Sequence, residues 1–369
     1  MKIRVGRRGL LTALTHGNNV VEKHTTVPIL SHTLLKAEGE GLTLSSTDLE
    51  LSLVAQITAE VIETGSVALP TNMLFELIRK FPESAEIDIC WDAGGAQAEI
   101  KSGKISFKIP CLSAEDFPHI SKDVLPVQFK MPASVLLSLL ERTKFAMSTE
   151  ETRYYLNGVF LHVHDGTEMR AVATDGNRLA KSFIGAPEGA ENMPGVIISR
   201  KTVNELVKLL AAALDDIAVS FSETQALFVI GDVFLSSRLI DGTFPDYDQV
   251  IPKMNEAVMR VEVKEFSQAI DRVATMASDK DRGVRLILSD DKLILEAASN
   301  EYGSGVEELG VDYQGPELKI GFNARYLLDV MTQLPKDEVF FALKDAATAV
   351  LIHGEKDPSS VFVIMPMRV

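Results

Sequence analysis

The chain has 369 residues, 46% of them hydrophobic, with a formal net charge of −15. That length allows two or three domains with a real core, and no apolar run approaches the roughly 18 residues that would suggest a membrane span. The acidic balance argues against a protein that grips nucleic acid over its whole surface, and the two cysteines, Cys90 and Cys111, lack ligand or redox spacing and read as core thiols of a reducing compartment.

The N-terminal MKIRVGRRGLLTALTHG contains only the short apolar run LLTAL, below the roughly 7–15 residues of a signal-peptide core, and reads as a cytosolic start. One apolar template then repeats along the chain at i, i+3, i+4, i+7, the stripe of an amphipathic helix. It comprises Leu10, Ala13, Leu14, Gly17; Leu74, Leu77, Ile78, Phe81; and Leu136, Leu139, Leu140, Thr143. It recurs as Val203, Leu206, Val207, Leu210; Phe266, Ala269, Ile270, Val273; and Leu327, Val330, Met331, Leu334. The first positions are 61 to 67 residues apart, and the pattern predicts helices over 7–18, 71–81, 132–147, 199–214, 263–277 and 323–334. Between them the period drops to two, in GLTLSS, AEIDICW, KISFKIP, GVFLHVH, IAVSF, VFLSSRL and KLILEAAS. These are expected to be strands of mostly antiparallel sheet with one face buried.

The repeating unit is therefore one helix and three or four strands, and two units make a domain. Turn sequences support that pairing: TDL at Thr47 and TDG at Thr174, and the FP elements at Phe117 and Phe244, are each 127 residues apart. The expected fold is α+β, with three similar domains over 1–125, 126–253 and 254–369, each with two helices packed on antiparallel sheets.

The six helical segments carry a net charge of +6, which leaves −21 on the rest of the chain. Six equivalent units suit a curved array with helices on one surface and sheets on the other. If two chains closed a ring, twelve helices spaced ~10 Å apart would leave a hole roughly 28 Å wide, enough for a DNA duplex. Enzyme readings are weaker. No pair of carboxylates stands out among the 52 Asp and Glu, and there is no phosphate loop or nucleophile elbow. His162 and His164 share a strand face but have no third ligand at zinc spacing. A repeat-built interaction scaffold that never encircles DNA is the remaining alternative. The tail, VFVIMPMRV, is apolar with one charge, Arg368, and calls for a docking place.

The chain resembles the bacterial DNA polymerase III beta subunit family of sliding clamps along its whole length. The resemblance is carried by VPILSHTLLKAEGEGLTLSSTDLE (27–50), RYYLNGVFL (153–161), ATDGNRLA (173–180), DGTFPDYDQVIP (241–252), RGVRL (282–286) and MPMR (365–368). It implies the clamp fold as half of a head-to-tail homodimeric ring, with no cofactor, metal or catalysis. The implied partners are duplex DNA, held topologically and without sequence preference, the polymerase III alpha subunit, the clamp loader and other proteins carrying a clamp-binding motif. No membrane is implied.

Residue by residue, the resemblance implies a partner-peptide groove made by Leu156, Thr174, Gly176, Arg178, Leu179, Pro245, Val250, Val363, Ile364, Met365, Pro366, Met367 and Arg368. It implies DNA-facing positions at His24, Arg79, Arg153, Tyr154, Tyr155, Arg200 and Lys201, the last two as exposed charges of little weight in stability. Phe107, Ile109 and Met276 fall at the dimer joint. Gln249 stands where a family member has Arg, Asp281 where it has Phe, His24 replaces an Arg, and Asn72 and Met73 replace basic residues.

Overall fold

The computed structural model describes residues 1–22, 25–121, 123–278 and 282–368. Among these it has six α-helices: α1 (Arg7–Val20), α2 (Thr71–Arg79), α3 (Ala133–Lys144), α4 (Arg200–Ala212), α5 (Val263–Ala274) and α6 (Ala324–Met331). Of the 24 stripe positions that predict them, 23 are buried and Leu77 is half-buried. Cys90 and Cys111 are half-buried rather than core.

Each helix follows a strand without a loop. The strands are Lys2–Gly6, Gly65–Pro70, Val127–Pro132, Val196–Ser199, Ala257–Glu262 and Leu318–Asn323. A helix leaves its first N–H groups without intrahelical partners, and polar N-cap side chains usually take them. Here Gly6, Pro70 and Glu262 cap α1, α2 and α5 with no side-chain bond. At α6 the Asn323 side chain accepts from Arg325 N–H (2.9 Å), and at five of the six starts backbone contributes. Arg7 N–H donates to the Ala85 carbonyl (2.9 Å), Ala133 to Asp215 (3.4 Å), Arg200 to Asn157 (2.9 Å), Val263 to Asp337 (3.1 Å) and Ala324 to Arg282 (2.9 Å). Each acceptor immediately precedes the strand paired antiparallel with the one that leads into the helix. The next rung of the ladder has become the helix cap.

The chain divides into two compact units. Unit 1 is Met1–Leu137, Pro187–Pro194 and Lys201–Leu239; unit 2 is Ser138–Ala186, Gly195–Arg200 and Ile240–Val369. Unit 1 holds a five-stranded and an eight-stranded sheet, and unit 2 a nine-stranded and a four-stranded one. The larger sheets join segments far apart in sequence. In unit 1, Val233–Arg238 pairs antiparallel with Leu51–Thr58, with Ser237 opposite Leu51. In unit 2, Asp357–Ile364 pairs antiparallel with Arg178–Gly185, with Ile364 opposite Arg178. Gly17 lets α1 lie close on its sheet, since a Cβ there would sit 2.6 Å from Ser46 Oγ.

Candidate functional site

The turn Thr174–Arg178 is fixed by its own side chains. Asp175 Oδ1 accepts the N–H groups of Asn177 (2.9 Å) and Arg178 (3.0 Å); Thr174 Oγ1 donates to the Arg178 carbonyl (2.7 Å) and accepts from Gly176 N–H (3.1 Å). Asp and Thr stabilise such turns because their short side chains reach backbone N–H groups two residues on. Gly176 has φ +90°, and a Cβ there would meet Arg153 Nη1 at 2.5 Å, so both conformation and space call for glycine. The Arg178 guanidinium is committed to the fold: it donates to Asp175 (3.1 Å), Asp329 (2.6 Å) and the Phe145 carbonyl (2.6 Å), and stacks over the Tyr326 ring at 4.4 Å.

The tail continues the sheet past this turn. After Ile364 the Met365 N–H donates to the Asn177 carbonyl (2.8 Å), and Met367 N–H then donates to the Gly321 carbonyl (2.8 Å) in the strand leading into α6. The end of the chain therefore stitches the two sheets of unit 2 together.

Turn and tail enclose a groove of about 350 Å³. Of the residues expected there, Leu156, Thr174, Gly176, Arg178, Leu179, Pro245, Val250, Val363 and Met365 line it. Ile364 does not: it is fully buried, because alternation along the strand turns it to the opposite face from Val363. Pro366, Met367 and Arg368 lie outside the lining. Sequence reasoning missed Asn177, Asp246 and Tyr247, although ATDGN and FPDY adjoin residues it named. Leu156, Leu179, Tyr247 and Val363 belong to one apolar cluster with Val172, Ile197, Phe244 and Ala349, which forms the body beneath the groove.

Tyr247 is held from behind. Its hydroxyl lies 2.9 Å from His162 Nε2 and accepts from Arg170 Nη1 at 3.1 Å. Burial pushes the imidazole below its ordinary pKa and the phenol above its own. A neutral His162 can thus accept from the Tyr247 O–H while its ring stacks on Phe160 at 4.7 Å. His162 serves packing, and no group of potential metal ligands occurs among the described residues.

The cations depart further from expectation. Arg200 turns inward, donating to the Met147 carbonyl (3.1 Å), and burial lowers its pKa. The Lys201 ammonium donates to the Val20 carbonyl at the C-terminal end of α1 (2.6 Å) and pairs with buried Asp48. It supplies the positive charge favoured at a helix C-terminus, where α1 has no basic residue of its own. Lys201 is therefore structural, not a freely exposed charge. Arg153 and Tyr155 line the groove; Arg153 pairs with Glu150 (2.8 Å) and Arg79 with Glu76 (2.7 Å). Tyr154 is exposed beside Tyr155, the rings edge-on at 5.8 Å. His24 and Asp281 lie outside the described residues.

Phe107 is 44% exposed on the edge strand Ile105–Pro110 of the five-stranded sheet, its ring edge-on to Phe81 at 6.3 Å. Ile109 is buried within the protomer although alternation puts it on the same face as Phe107 and Ile105; Ile105 is the exposed aliphatic of that strand. Met276 is half-buried and close to Gly305, on the edge strand Gly303–Gly310 of the four-stranded sheet. A larger cavity, about 610 Å³, lies in unit 1 beside α1 and contains none of these residues.

Comparison with known proteins covers the whole chain. The family descriptions "DNA polymerase III beta subunit" N-terminal, central and C-terminal domain match residues 1–121, 130–246 and 248–368. The "Beta sliding clamp" of Caulobacter vibrioides (strain NA1000 / CB15N) is 41% identical over 372 residues, covering all of both chains. That of Pseudomonas aeruginosa (PAO1) is 35% identical over 369 residues, again in full. Among solved structures, a DnaN sliding clamp (DNA polymerase III subunit beta) from Bartonella birtlesii bound to griselimycin superposes with a TM-score of 0.96 at 41% identity, covering all of both chains.

Proposed function

The chain belongs to the DNA polymerase III beta subunit family, and we propose that it works as a DNA sliding clamp: a homodimeric ring that encircles duplex DNA and gives the replicative polymerase its processivity. The observation that carries this reading is the sixfold strand-into-helix unit, found along the full length of a chain that aligns end to end with clamps. A ring needs little affinity, since it leaves only by opening. Contacts to phosphate are weak enough individually to be broken and remade during sliding. The −21 charge outside the expected helical segments disfavours DNA elsewhere. The role is non-catalytic and cytoplasmic.

The repeat supports a head-to-tail dimer. Leu51–Thr58, Arg178–Gly185 and Gly303–Gly310 occupy equivalent places in the repeat, as do Ile105–Pro110, Val233–Arg238 and Asp357–Ile364. Within the chain, Leu51–Thr58 pairs with Val233–Arg238 and Arg178–Gly185 with Asp357–Ile364. Gly303–Gly310 and Ile105–Pro110 remain as sheet edges. Exposed edges invite pairing with another chain; Glu307 and Glu308 on one, which pair with Arg272 and Lys292 within the chain, are opposite in charge to Lys104 and Lys108 at the other. Joining Gly303–Gly310 to Ile105–Pro110 of a second copy would repeat the pairing already made twice, with Phe107, Ile105 and Met276 at the joint.

We infer that the groove of unit 2 is the docking site for short segments of the polymerase alpha subunit, the clamp loader and other partners, and that griselimycin, bound in the Bartonella birtlesii structure, is a ligand to test there. Its apolar floor, with polar groups at Thr174, Asn177 and Asp246, suits extended peptide. Retention on DNA tests the clamp reading: protein loaded on nicked circular duplex should stay through gel filtration and run off after linearisation. Loss at equal rates from circular and linear DNA would favour a scaffold that does not encircle DNA.

A further inference from the structure

Beyond Val250 the surface falls into a second hollow of about 480 Å³, bounded by residues 249–255 and by Lys344, Thr348 and Ala349. Val250 lines both the groove and the hollow. Beneath them the apolar packing is continuous, since Ala349 and Ile251 of the hollow pack in the same cluster as Leu156, Leu179 and Val363 of the groove. The hollow has a firm wall: the Asn255 amide donates to the Ala342 carbonyl (2.8 Å) and the Ala349 carbonyl (2.9 Å). Val250 and Met254, 55% and 71% exposed, are apolar surface at the rim. The charged residues of the lining are Lys253 and Lys344, both exposed, and it contains no acid. Asp345, the acid next to Lys344, spends its carboxylate on the N–H groups of Ala347 (2.9 Å) and Thr348 (2.7 Å).

We propose that the partner segment held in the groove continues over Val250 into this hollow, lays apolar surface on Met254 and presents an acidic side chain to Lys253 and Lys344. The proposal rests on the groove reading and sharpens it: preferred partners carry Asp or Glu just beyond their apolar anchors, on the Val250 side. Continuity of the apolar floor favours a peptide over a nucleic-acid strand, whose phosphates would use the lysines and leave Met254 bare.

The probe is a fluorescein-labelled heptapeptide selected by display on this protein and kept only if Met365→Glu weakens its binding. It is extended at either end with Glu-Glu or, as control, Gln-Gln, and titrated by anisotropy at low salt. One Glu-extended peptide should bind about fivefold tighter than its Gln counterpart, the scale of two exposed ion pairs. The double variant Lys253→Gln/Lys344→Gln should erase that difference and leave the unextended peptide within about twofold. Parity of the Glu and Gln peptides at both ends, or an advantage that survives in the double variant, overturns the extension alone. If an eight-residue oligo-dT displaced the Glu-extended peptide but not the unextended one, the hollow would be a phosphate site, and the proposal would fall. If no selected peptide depended on Met365, the groove reading would fall and take the extension with it.

Discussion

Thr47–Leu51 in unit 1 and Thr174–Arg178 in unit 2 are built alike, bond for bond. Asp48 Oδ1 accepts the N–H groups of Glu50 (2.9 Å) and Leu51 (2.6 Å), as Asp175 does for its own turn; Thr47 Oγ1 accepts from Leu49 N–H (3.0 Å), as Thr174 does from Gly176. The incoming strand is received in the same way: Arg238 N–H donates to the Glu50 carbonyl and Met365 N–H to the Asn177 carbonyl, both at 2.8 Å. The side chains diverge. Unit 1 has Leu49, Ser52, Asp123, Ser236 and Arg238 where unit 2 has Gly176, Leu179, Val250, Val363 and Met365. The backbone device thus belongs to the repeat, and side-chain differences, these five among them, separate the groove of unit 2 from its counterpart in unit 1. The acids are also balanced differently, Asp175 by Arg178 within its own turn and Asp48 by Lys201 from α4.

That last difference predicts the largest effect. Lys201→Glu removes the partner of a buried carboxylate and places an anion at the C-terminal end of α1. The expected loss is about 2–3 kcal/mol, between a surface pair and a fully buried one. Urea denaturation followed by circular dichroism measures it; an unchanged midpoint would mean the ammonium is free in solution and available to DNA.

Next is Gly176→Leu, which gives the unit 2 turn the residue of its counterpart. Leu49 holds φ +77°, so the fold carries a left-handed leucine there at a strain of about 1–2 kcal/mol; at 176 the new side chain bears the same strain, meets Arg153 and enters the groove. Griselimycin affinity should fall at least about 30-fold, the weight of one groove anchor, while the protein stays folded. Binding retained within threefold by calorimetry would show that the ligand sits elsewhere. The reverse change, Leu49→Gly, should be small. Relief of a left-handed leucine, about 1–2 kcal/mol, is largely offset by the entropy glycine loses on folding, about 0.5–1 kcal/mol. The melting temperature should hold or rise slightly, and no griselimycin site should appear in unit 1, since Ser52, Ser236 and Arg238 remain. A fall of several degrees would mean the Leu49 side chain, 54% exposed, packs more than its exposure implies.

The helices were legible because a 3.6-residue period writes the buried face directly into the sequence, whereas the groove residues came only from the resemblance carried by short segments and the tail. Helix starts were not legible from caps. The acceptor for Arg7 is the carbonyl of Ala85, supplied by a strand pairing and not by a residue type. Lys201 misled for a related reason: its carboxylate partner is 153 residues away, and a lysine opening a helix reads the same whether it faces solvent or a buried aspartate. The resemblance placed both Val363 and Ile364 in the groove, and strand alternation, which puts neighbours on opposite faces, is what separates them.

The smallest effect concerns what supports Tyr247. His162 sits where the repeat has Leu35, fully buried, in unit 1. Burial first, then the nearby charges of Arg170 and His164, hold the His162 pKa below the ordinary 6.5, against the opposing pull of Asp248 and the Val163 backbone. Well above pH 6.5 the imidazole is neutral in both the folded and unfolded chain and adds little pH dependence. As pH falls below that, the unfolded chain takes up a proton that the folded chain resists, so stability declines. His162→Leu removes this contribution, while His32, also lowered by burial, titrates in both proteins and cancels in the comparison. The gap between wild type and variant in urea midpoint should be constant from pH 7 to 8 and shift in favour of the variant between pH 6.5 and 5. Griselimycin affinity should drop modestly in the variant at every pH, because the Tyr247 hydroxyl loses one of its two partners and keeps only Arg170. Parallel midpoints across the whole range would mean that His162 is protonated as readily in the fold as out of it, and that Tyr247 is positioned by the apolar cluster without help from the imidazole.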